Sequence, residues 1–432
     1  MNGNTARIGL LGCGNVGAAL VQLMAENGDA VAARTGLRLE IARVAVRDPS
    51  KPRAVDLPAA VFTGEAAAVV GDPDIDLVVE VVGGVEPART LVLTALESGK
   101  PVVTANKELL ADCGAELFEA AAKAGVDLLF EAAVAGAIPI MRPLRESLAG
   151  DRIQRVLGIV NGTTNFILTR MTEKGQSFAE ALAEAQSLGY AERDPTADVE
   201  GFDAAAKAAI IASVAFGVDV RAADVYREGI TGVTADDIAM AARLGYVVKL
   251  LAVADSFREP GGDRVAVRVY PAMVPTAHPL AAVREAYNAV FVQGAAAGDL
   301  MFYGPGAGGR PTASAVLGDV VDAATNLRQA TSAGVAGLAT ARIRPMDELT
   351  SQYYLTLDVV DRPGVLERVA NAFAQHDVSI VQVLQVGMGD EARLVLVTHT
   401  ARERDMQATV SALRRLDVVD RVGTLLRVVG AE

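Results

Sequence analysis

Residues 7–12 (RIGLLG) are apolar after the leading Arg7, the pattern of a strand buried on both faces. A glycine-rich turn follows, Gly12-Cys13-Gly14-Asn15-Val16-Gly17, and residues 18–27 continue with helical spacing of apolar positions. Further strands are predicted at 37–47, 75–82, 101–104 and 126–130, with a helix over 87–98 closed by Gly99. Strands alternating with helices predict a parallel sheet with crossover helices, so residues 1–150 are expected to form a doubly wound α/β domain.

Past residue 150 the pattern changes. Strands are predicted at 153–160, 265–269 and 289–293, helices at 178–188 and 204–216, and a turn at Glu259-Pro260-Gly261-Gly262-Asp263. This makes 151–310 an α+β region, and the following helix, 312–328, is expected to return to the first domain and complete it. A polar stretch, 342–352, reads as a linker. The final segment, 353–432, has strands at 354–360, 378–386, 392–400 and 418–428 and helices at 364–375 and 403–415, a βαββαβ order that predicts a ferredoxin-like unit.

Composition narrows the function. A chain of 432 residues supports two to four domains. Net charge −13 without a basic stripe argues against nucleic acid or an anionic membrane, and the absence of Trp argues against base-stacking platforms. No apolar run is long enough to span a bilayer. Two cysteines, Cys13 and Cys113, make no disulfide framework and fit a reducing compartment. A first strand starting near Arg7 leaves no room for a signal peptide, so a cytoplasmic protein is expected.

Six places along the chain carry chemistry. Gly12-x-Gly14-x-x-Gly17 lies between a strand and a helix, the context of a dinucleotide-binding turn in a Rossmann-type domain, with Asn15 and Val16 at the helix start facing the pyrophosphate. At the end of the second strand stands Arg47, suited to a 2′-phosphate, followed by Asp48, which suits a ribose hydroxyl; NADP(H) is expected, with NAD(H) possible. The segment from Leu188 to Lys207 holds five carboxylates ahead of a lysine on an apolar helix. Asp203 and Lys207 share a helix face at i, i+4, and a lysine among Ala and Ile is either a general acid or a snorkelling side chain. Lys107 follows a strand end of the nucleotide domain, where ligands of open α/β sheets sit, although a lysine simply starting a helix fits as well. Asn161-Gly162-Thr163-Thr164-Asn165 offers hydroxyl, amide and helix-start N–H donors to a carboxylate or serves as a plain cap. Glu131, followed by small residues, suits a hard cation held with main-chain carbonyls, or a buried cap. His278, His376 and His399 are scattered and suggest no transition-metal site.

In order, GLLGCGNVG, PVVTANK, EAAVAGAIPI, GIVNGTTNFIL, LGYAERDPTADVEGFDAAAK and GPGAGGRPTASAV resemble the homoserine dehydrogenase family over residues 7 to 325, and 354–429, with Asp361-Arg362-Pro363-Gly364-Val365-Leu366 at its first turn, resembles an ACT domain. The resemblance implies interconversion of L-aspartate 4-semialdehyde and L-homoserine in threonine, methionine and isoleucine biosynthesis. It implies Lys207 as proton donor, Asp203 orienting it, Lys107 as a third catalytic residue that helps hold substrate and nicotinamide and shares the proton work, and Glu192, Asp198, Thr163 and Tyr190 lining the substrate pocket. It places Gly308 against the cofactor, and Glu131 with the backbone oxygens of Val134, Gly136 and Ile138 around a monovalent cation, sodium. It also implies an amino-acid effector, threonine, at the ACT domain, and a homodimer or homotetramer. Two other readings stand beside it: another dehydrogenase of the amino-acid pathways, such as an aspartate dehydrogenase, and a non-catalytic sensor of redox state and amino acids.

Overall fold

A computed structural model describes residues 4–333, 337–387 and 392–430. The first apolar run is strand β1 (Thr5–Leu11), followed by helix α1 (Asn15–Thr35), β2 (Arg38–Ala45), β3 (Phe62–Thr63), α2 (Ala66–Gly71), β4 (Leu77–Glu80), α3 (Ala88–Glu97), β5 (Val102–Thr104), α4 (Lys107–Ala124) and β6 (Leu128–Leu129). The strands pair in parallel in the order β3-β2-β1-β4-β5-β6. Order reverses between β1 and β4, which opens a crevice at the carboxyl ends of those strands. α1 runs longer than predicted, because the pattern of its apolar positions continues to Val31 and Gly36 stops it in the left-handed region.

The second body holds β7 (Ile153–Ile159), α5 (Gly162–Lys174), α6 (Phe178–Ser187), α7 (Thr196–Val199), α8 (Phe202–Phe216), β8 (Val218–Asp219), β9 (Tyr226–Arg227), α9 (Ala235–Arg243), β10 (Tyr246–Phe257), β11 (Arg264–Pro275), β12 (Tyr287–Gly294) and β13 (Gly298–Pro305). Its sheet is antiparallel in the order β13-β12-β7-β10-β11. Ile167 of α5 and Ile210 of α8 share a core with Val156 and Val290 on one face of it, while Leu157, Leu251, Tyr270 and Phe291 form a separate core on the other. Pattern alone located β7 and parts of β11 and β12 but neither β10 nor β13. β10 is continuously buried from Val248 to Asp255, with Lys249 and Asp255 among its apolar residues, and a run without alternation does not separate strand from helix by period. Helix α10 (Gly309–Gln329) then returns to the first domain and packs Ala313, Val316 and Val320 against Leu20 of α1 and Ile8 and Leu10 of β1. β14 (Ala339–Thr340) pairs with β8.

The C-terminal unit is β15 (Thr350–Val359), α11 (Val365–Ala374), β16 (Ile380–Val386), β17 (Arg393–Thr398), β18 (Ala401–Arg402), α12 (Glu403–Leu413) and β19 (Val419–Val428). The main strands are antiparallel in the order β19-β15-β17-β16, and Val369, Phe373, Met406 and Leu413 cover one face with Leu355 and Leu394 beneath. The expected linker is strapped to the second body: Val265 donates to Arg342 O at 3.0 Å, Arg344 donates to Val265 O at 2.7 Å, and Arg264 reaches Glu348 at 2.9 Å. β15 starts inside that stretch. β19 pairs in parallel with β11 through Ala272–Arg427 and Met273–Val428, so one sheet runs from the second body into the C-terminal unit. Hydrophobic pattern cannot foresee this, because it records which face is buried and not which edge finds a partner.

Candidate active site

The nucleotide turn is built as its glycines require. Gly12 has φ +96°, and a side chain at Gly17 would place its Cβ 2.3 Å from Gly12 O. Nothing lies within 4 Å of a Cβ at Gly14, which therefore faces open space. α1 starts at Asn15 without a side-chain cap or an acidic residue in its first turn, leaving N–H donors and the positive dipole end for an anion. Gly308, at the N-cap of α10, and Gly309, beside Asn15 O, close the crevice from the returning helix. Arg47 is exposed just past β2 and makes no ion pair among the described residues. Asp48 accepts both the hydroxyl and the N–H of Ser50, at 2.6 and 2.9 Å, which hold its carboxyl below the usual range.

Next to this crevice β4 and β5 end in a tied corner. Glu80, fully buried, accepts the Thr104 hydroxyl at 2.6 Å and the N–H groups of Val82 and Gly83 at 2.8 and 3.1 Å. Asn106 donates to Gly84 O at 2.6 Å and accepts Leu109 N–H at 3.1 Å, which caps α4. Lys107 is thereby fixed as the first residue of α4, above the strand ends. Glu80 and Asn106 escaped sequence reasoning; Asn106 stood inside the quoted TANK motif as a cap signal, whereas a Glu at a strand end signals nothing by itself.

Lys107 Nζ stands 3.4 Å from one oxygen of Asp203, and Lys207 Nζ stands 2.7 Å from the other. Lys207 also donates to Val160 O at 2.7 Å, at the end of β7. Asn161 Nδ2 bridges Asp203 and Asp198 at 2.9 and 2.7 Å, while its Oδ1 caps α5. Thr163 donates to Tyr190 O at 2.7 Å, and the Tyr190 ring packs on Phe166. Glu192 is exposed on the rim of the same loop. Residues scattered from 107 to 207 thus meet where the nucleotide sheet and the second body touch. Burial pushes the Asp203 carboxyl up, yet the Lys207 and Lys107 ammoniums outweigh it and hold it below its usual range. Burial raises Asp198, the charge of Asp203 adds to the rise, and the hydrogen bond from Asn161 opposes it only in part. One carboxylate is committed to its lysines, and the other gains from an arriving cation.

The expected cation ligand, Glu131, is buried with its carboxylate accepting main-chain N–H groups of Ile140, Met141 and Arg142. Its side chain therefore caps the helical turn that starts there, the alternative the sequence left open, and a cation could take only its remaining lone pairs. The buried segment 134–138 has Ala135 and Gly136 both at positive φ, and among the described residues no N–H donates to the carbonyls of Val134, Gly136 or Ile138. Those three oxygens are left as free acceptors of the type a hard cation takes; among the described residues, no three His, Cys, Asp or Glu come together as a metal site. Alongside, Asn288 is fully buried against Gly306 with neither end of its amide bonded, another polar group that sequence gave no reason to choose.

Comparison with known proteins gives the family of each part of the chain. Residues 12–131 match the NAD-binding domain of homoserine dehydrogenase, residues 139–321 match the homoserine dehydrogenase family, and residues 353–418 match the ACT domain. The chain is 51% identical over 427 residues to a homoserine dehydrogenase of Corynebacterium glutamicum, covering 98% of this chain and 96% of that one. It is 52% identical over 432 residues to one of Mycobacterium tuberculosis, covering 98% and 97%. The crystal structure of a Thiobacillus denitrificans homoserine dehydrogenase superposes with TM-score 0.91 at 42% identity over 98% of each chain. A hyperthermophilic archaeal homoserine dehydrogenase in complex with NADPH superposes with TM-score 0.62 at 29% identity, covering 74% of this chain and 97% of that one.

Proposed function

This chain belongs to the homoserine dehydrogenase family of NAD(P)-dependent oxidoreductases acting on a CH–OH group, and we propose how its own residues carry out the interconversion of L-aspartate 4-semialdehyde and L-homoserine. The observation that carries the proposal is the Asp203 carboxylate held between Lys207 and Lys107 at the carboxyl ends of β5 and β7. When bound, the nicotinamide supplies or accepts the hydride; the protein supplies geometry and charge. Glu192 and Asp198 bind the substrate ammonium and position the hydroxyl. That charge relieves Asp198, whose burial otherwise disfavours ionisation. Thr163 and Tyr190 line the pocket near the start of α5. During reduction, negative charge develops on the carbonyl oxygen. Lys207 stabilises this charge and delivers a proton to it, while Asp203 keeps the ammonium oriented and Lys107 holds substrate and nicotinamide together. In the reverse direction Lys207 takes the alcohol proton.

Gly12, Gly14, Asn15, Val16, Gly17 and Gly308 surround the pyrophosphate, and Arg47 favours NADP(H). Asp48 is turned onto Ser50, which supports that preference over NAD(H), and the archaeal relative bound to NADPH points the same way. The carbonyls of Val134, Gly136 and Ile138, with the charge of Glu131 behind them, hold a sodium ion that fixes the junction between the two domains. The ACT domain senses an amino acid, threonine, as feedback from the biosynthetic route, in a cytoplasmic homodimer or homotetramer. No described helix is long and apolar enough to cross a membrane. The test is NADP⁺ reduction with L-homoserine, with and without L-threonine, in wild type and Lys207→Ala. Loss of most of kcat with a smaller KM change is expected; normal turnover by Lys207→Ala removes it from the mechanism. Activity untouched by threonine leaves the enzyme assignment and rejects threonine as effector.

A further inference from the structure

Arg427 is the largest fully buried side chain described, and it belongs to the last strand of the ACT domain. Its guanidinium bonds both oxygens of Glu403 on α12, at 3.0 and 2.6 Å. It also bonds both oxygens of Glu228 in the catalytic body, at 2.7 and 2.8 Å. The rings of Tyr270 and Tyr226 flank it with centroids 4.9 and 5.8 Å away. Glu403, which also accepts the Tyr353 hydroxyl and the Gln407 amide, already neutralises Arg427 within its own domain. A second carboxylate from another domain is not needed to balance the charge. Buried ion pairs contribute little net stability, and their best-attested use is to specify one arrangement.

What Glu228 is attached to gives that arrangement its consequence. The segment 226–231 lies between β11 and the turn that joins α7 to α8. On one side Glu228 N–H donates to Val269 O at 2.8 Å. On the other, Ile230 N–H donates to Val199 O at 2.8 Å, and the Thr231 hydroxyl donates to Glu200 at 3.0 Å. Gly229 presses so close that a Cβ there would lie 2.4 Å from Val199 O. Arg227 stacks its guanidinium 3.5 Å from the centroid of the Phe202 ring. The clasped residues, Val199 to Phe202, sit between Asp198 and Asp203. A continuous series of bonds therefore runs from β19 to both carboxylates of the active site.

We propose that Arg427 and Glu228 are positioning residues for substrate: the ACT domain holds segment 226–231 against the α7–α8 turn, and so places Asp198 and Asp203, even with no effector bound. The proposal rests on the reading of Asp198, Asp203 and Lys207 as the substrate site. In this arrangement the C-terminal domain is part of the binding machinery for homoserine and not of that for the cofactor, whose turn lies on α1 and α10.

The experiment uses the full-length chain without added amino-acid effector and compares Glu228→Gln, Glu228→Ala and Arg427→Lys with wild type. Measured are KM for L-homoserine, kcat, the Kd for NADPH by fluorescence, and the thermal midpoint. Glu228→Ala is expected to raise KM about tenfold, a loss of uniform substrate binding, with the NADPH Kd within about twofold. Arg427→Lys, which keeps charge but loses the two-pronged geometry, should fall between it and wild type. If Glu228→Ala does not fold, the isosteric Glu228→Gln carries the comparison, with a smaller rise in KM. Unchanged KM in folded Glu228→Gln and Glu228→Ala overturns the proposal, as does a parallel loss of NADPH and homoserine binding, which marks a general loss of stability. Lys207→Ala, run alongside, separates the two failures: if it turns over normally the site reading falls, whereas if it is inactive and the Glu228 variants bind normally only the strut falls.

Discussion

Replacing Asp203 by Asn keeps the shape of the side chain and removes the charge on which both lysines converge. The amide must turn its oxygen toward Lys207 and Asn161, at 2.7 and 2.9 Å, which leaves its NH₂ facing Lys107 at 3.4 Å. A hydrogen bond to a charged group contributes about 1.5–3 kcal/mol and a neutral one about 1 kcal/mol. Lys207, whose side chain is 12% exposed, lies toward the upper end of that range. Lys107 is 36% exposed, so solvent screens its contact to about 0–1 kcal/mol. The loss of orientation at Lys207, with the clash at Lys107, comes to about 1.5–3 kcal/mol in the transition state, or a fall of about 10- to 150-fold in kcat/KM for homoserine. Val160 O still holds the ammonium, so activity falls without vanishing. The assay is NADP⁺ reduction over a range of homoserine concentrations, with NADPH affinity and the thermal midpoint measured on the same preparation. A folded variant with unchanged NADPH affinity and kcat/KM within about twofold of wild type would refute the claim that Asp203 orients the proton donor.

Other perturbations test other parts. Arg47→Ala should weaken NADPH binding selectively, by about tenfold for a lost charge-assisted bond, and equal loss for NADH and NADPH argues against its role at a 2′-phosphate. Gly17→Ala drives a methyl into Gly12 O, 2.3 Å away on unyielding backbone, and should cost about 3 kcal/mol in urea unfolding and abolish cofactor binding; wild-type NADPH affinity would contradict the packing. Burial pushes Asp319 up to about 7, with the charge of Glu131 adding to the rise against the Glu131 N–H and Arg142. Its folded pKa lies above its unfolded one, so its contribution favours folding at low pH and is lost as pH rises from about 4 to about 7, by up to about 4 kcal/mol. Asp319→Asn should flatten that part of the stability profile, measured as urea midpoints at several pH values; an unchanged slope excludes Asp319 as its source.

Which parts of this protein were legible in its sequence follows from how far apart the interacting groups lie. β1, the glycine turn and α1 are neighbours in the chain, so the apolar run, the positive φ at Gly12 and the close packing at Gly17 are all written locally. The i, i+4 spacing of Asp203 and Lys207 sets their pairing in the same way. The βαββαβ period of residues 350–428 is likewise local, since each strand and helix buries one face.

Tertiary structure decided what depends on distant partners. Lys107 reaches Asp203 only because α4 packs against α8, and Asn161 joins two carboxylates that the chain separates from it by 37 and 42 positions. Glu131 and Asp203 are both acids beside small residues. Folding makes one a cap for three main-chain N–H groups and the other the counterion of two lysines, because each takes the donors its surroundings present. The union of β19 with β11, and with it the burial of Arg427 against Glu228 across 199 positions, is a matching of edges. A hydrophobic pattern specifies which side of a strand faces the core, whereas the partner along its edge is chosen by backbone hydrogen bonds that are the same for every residue type.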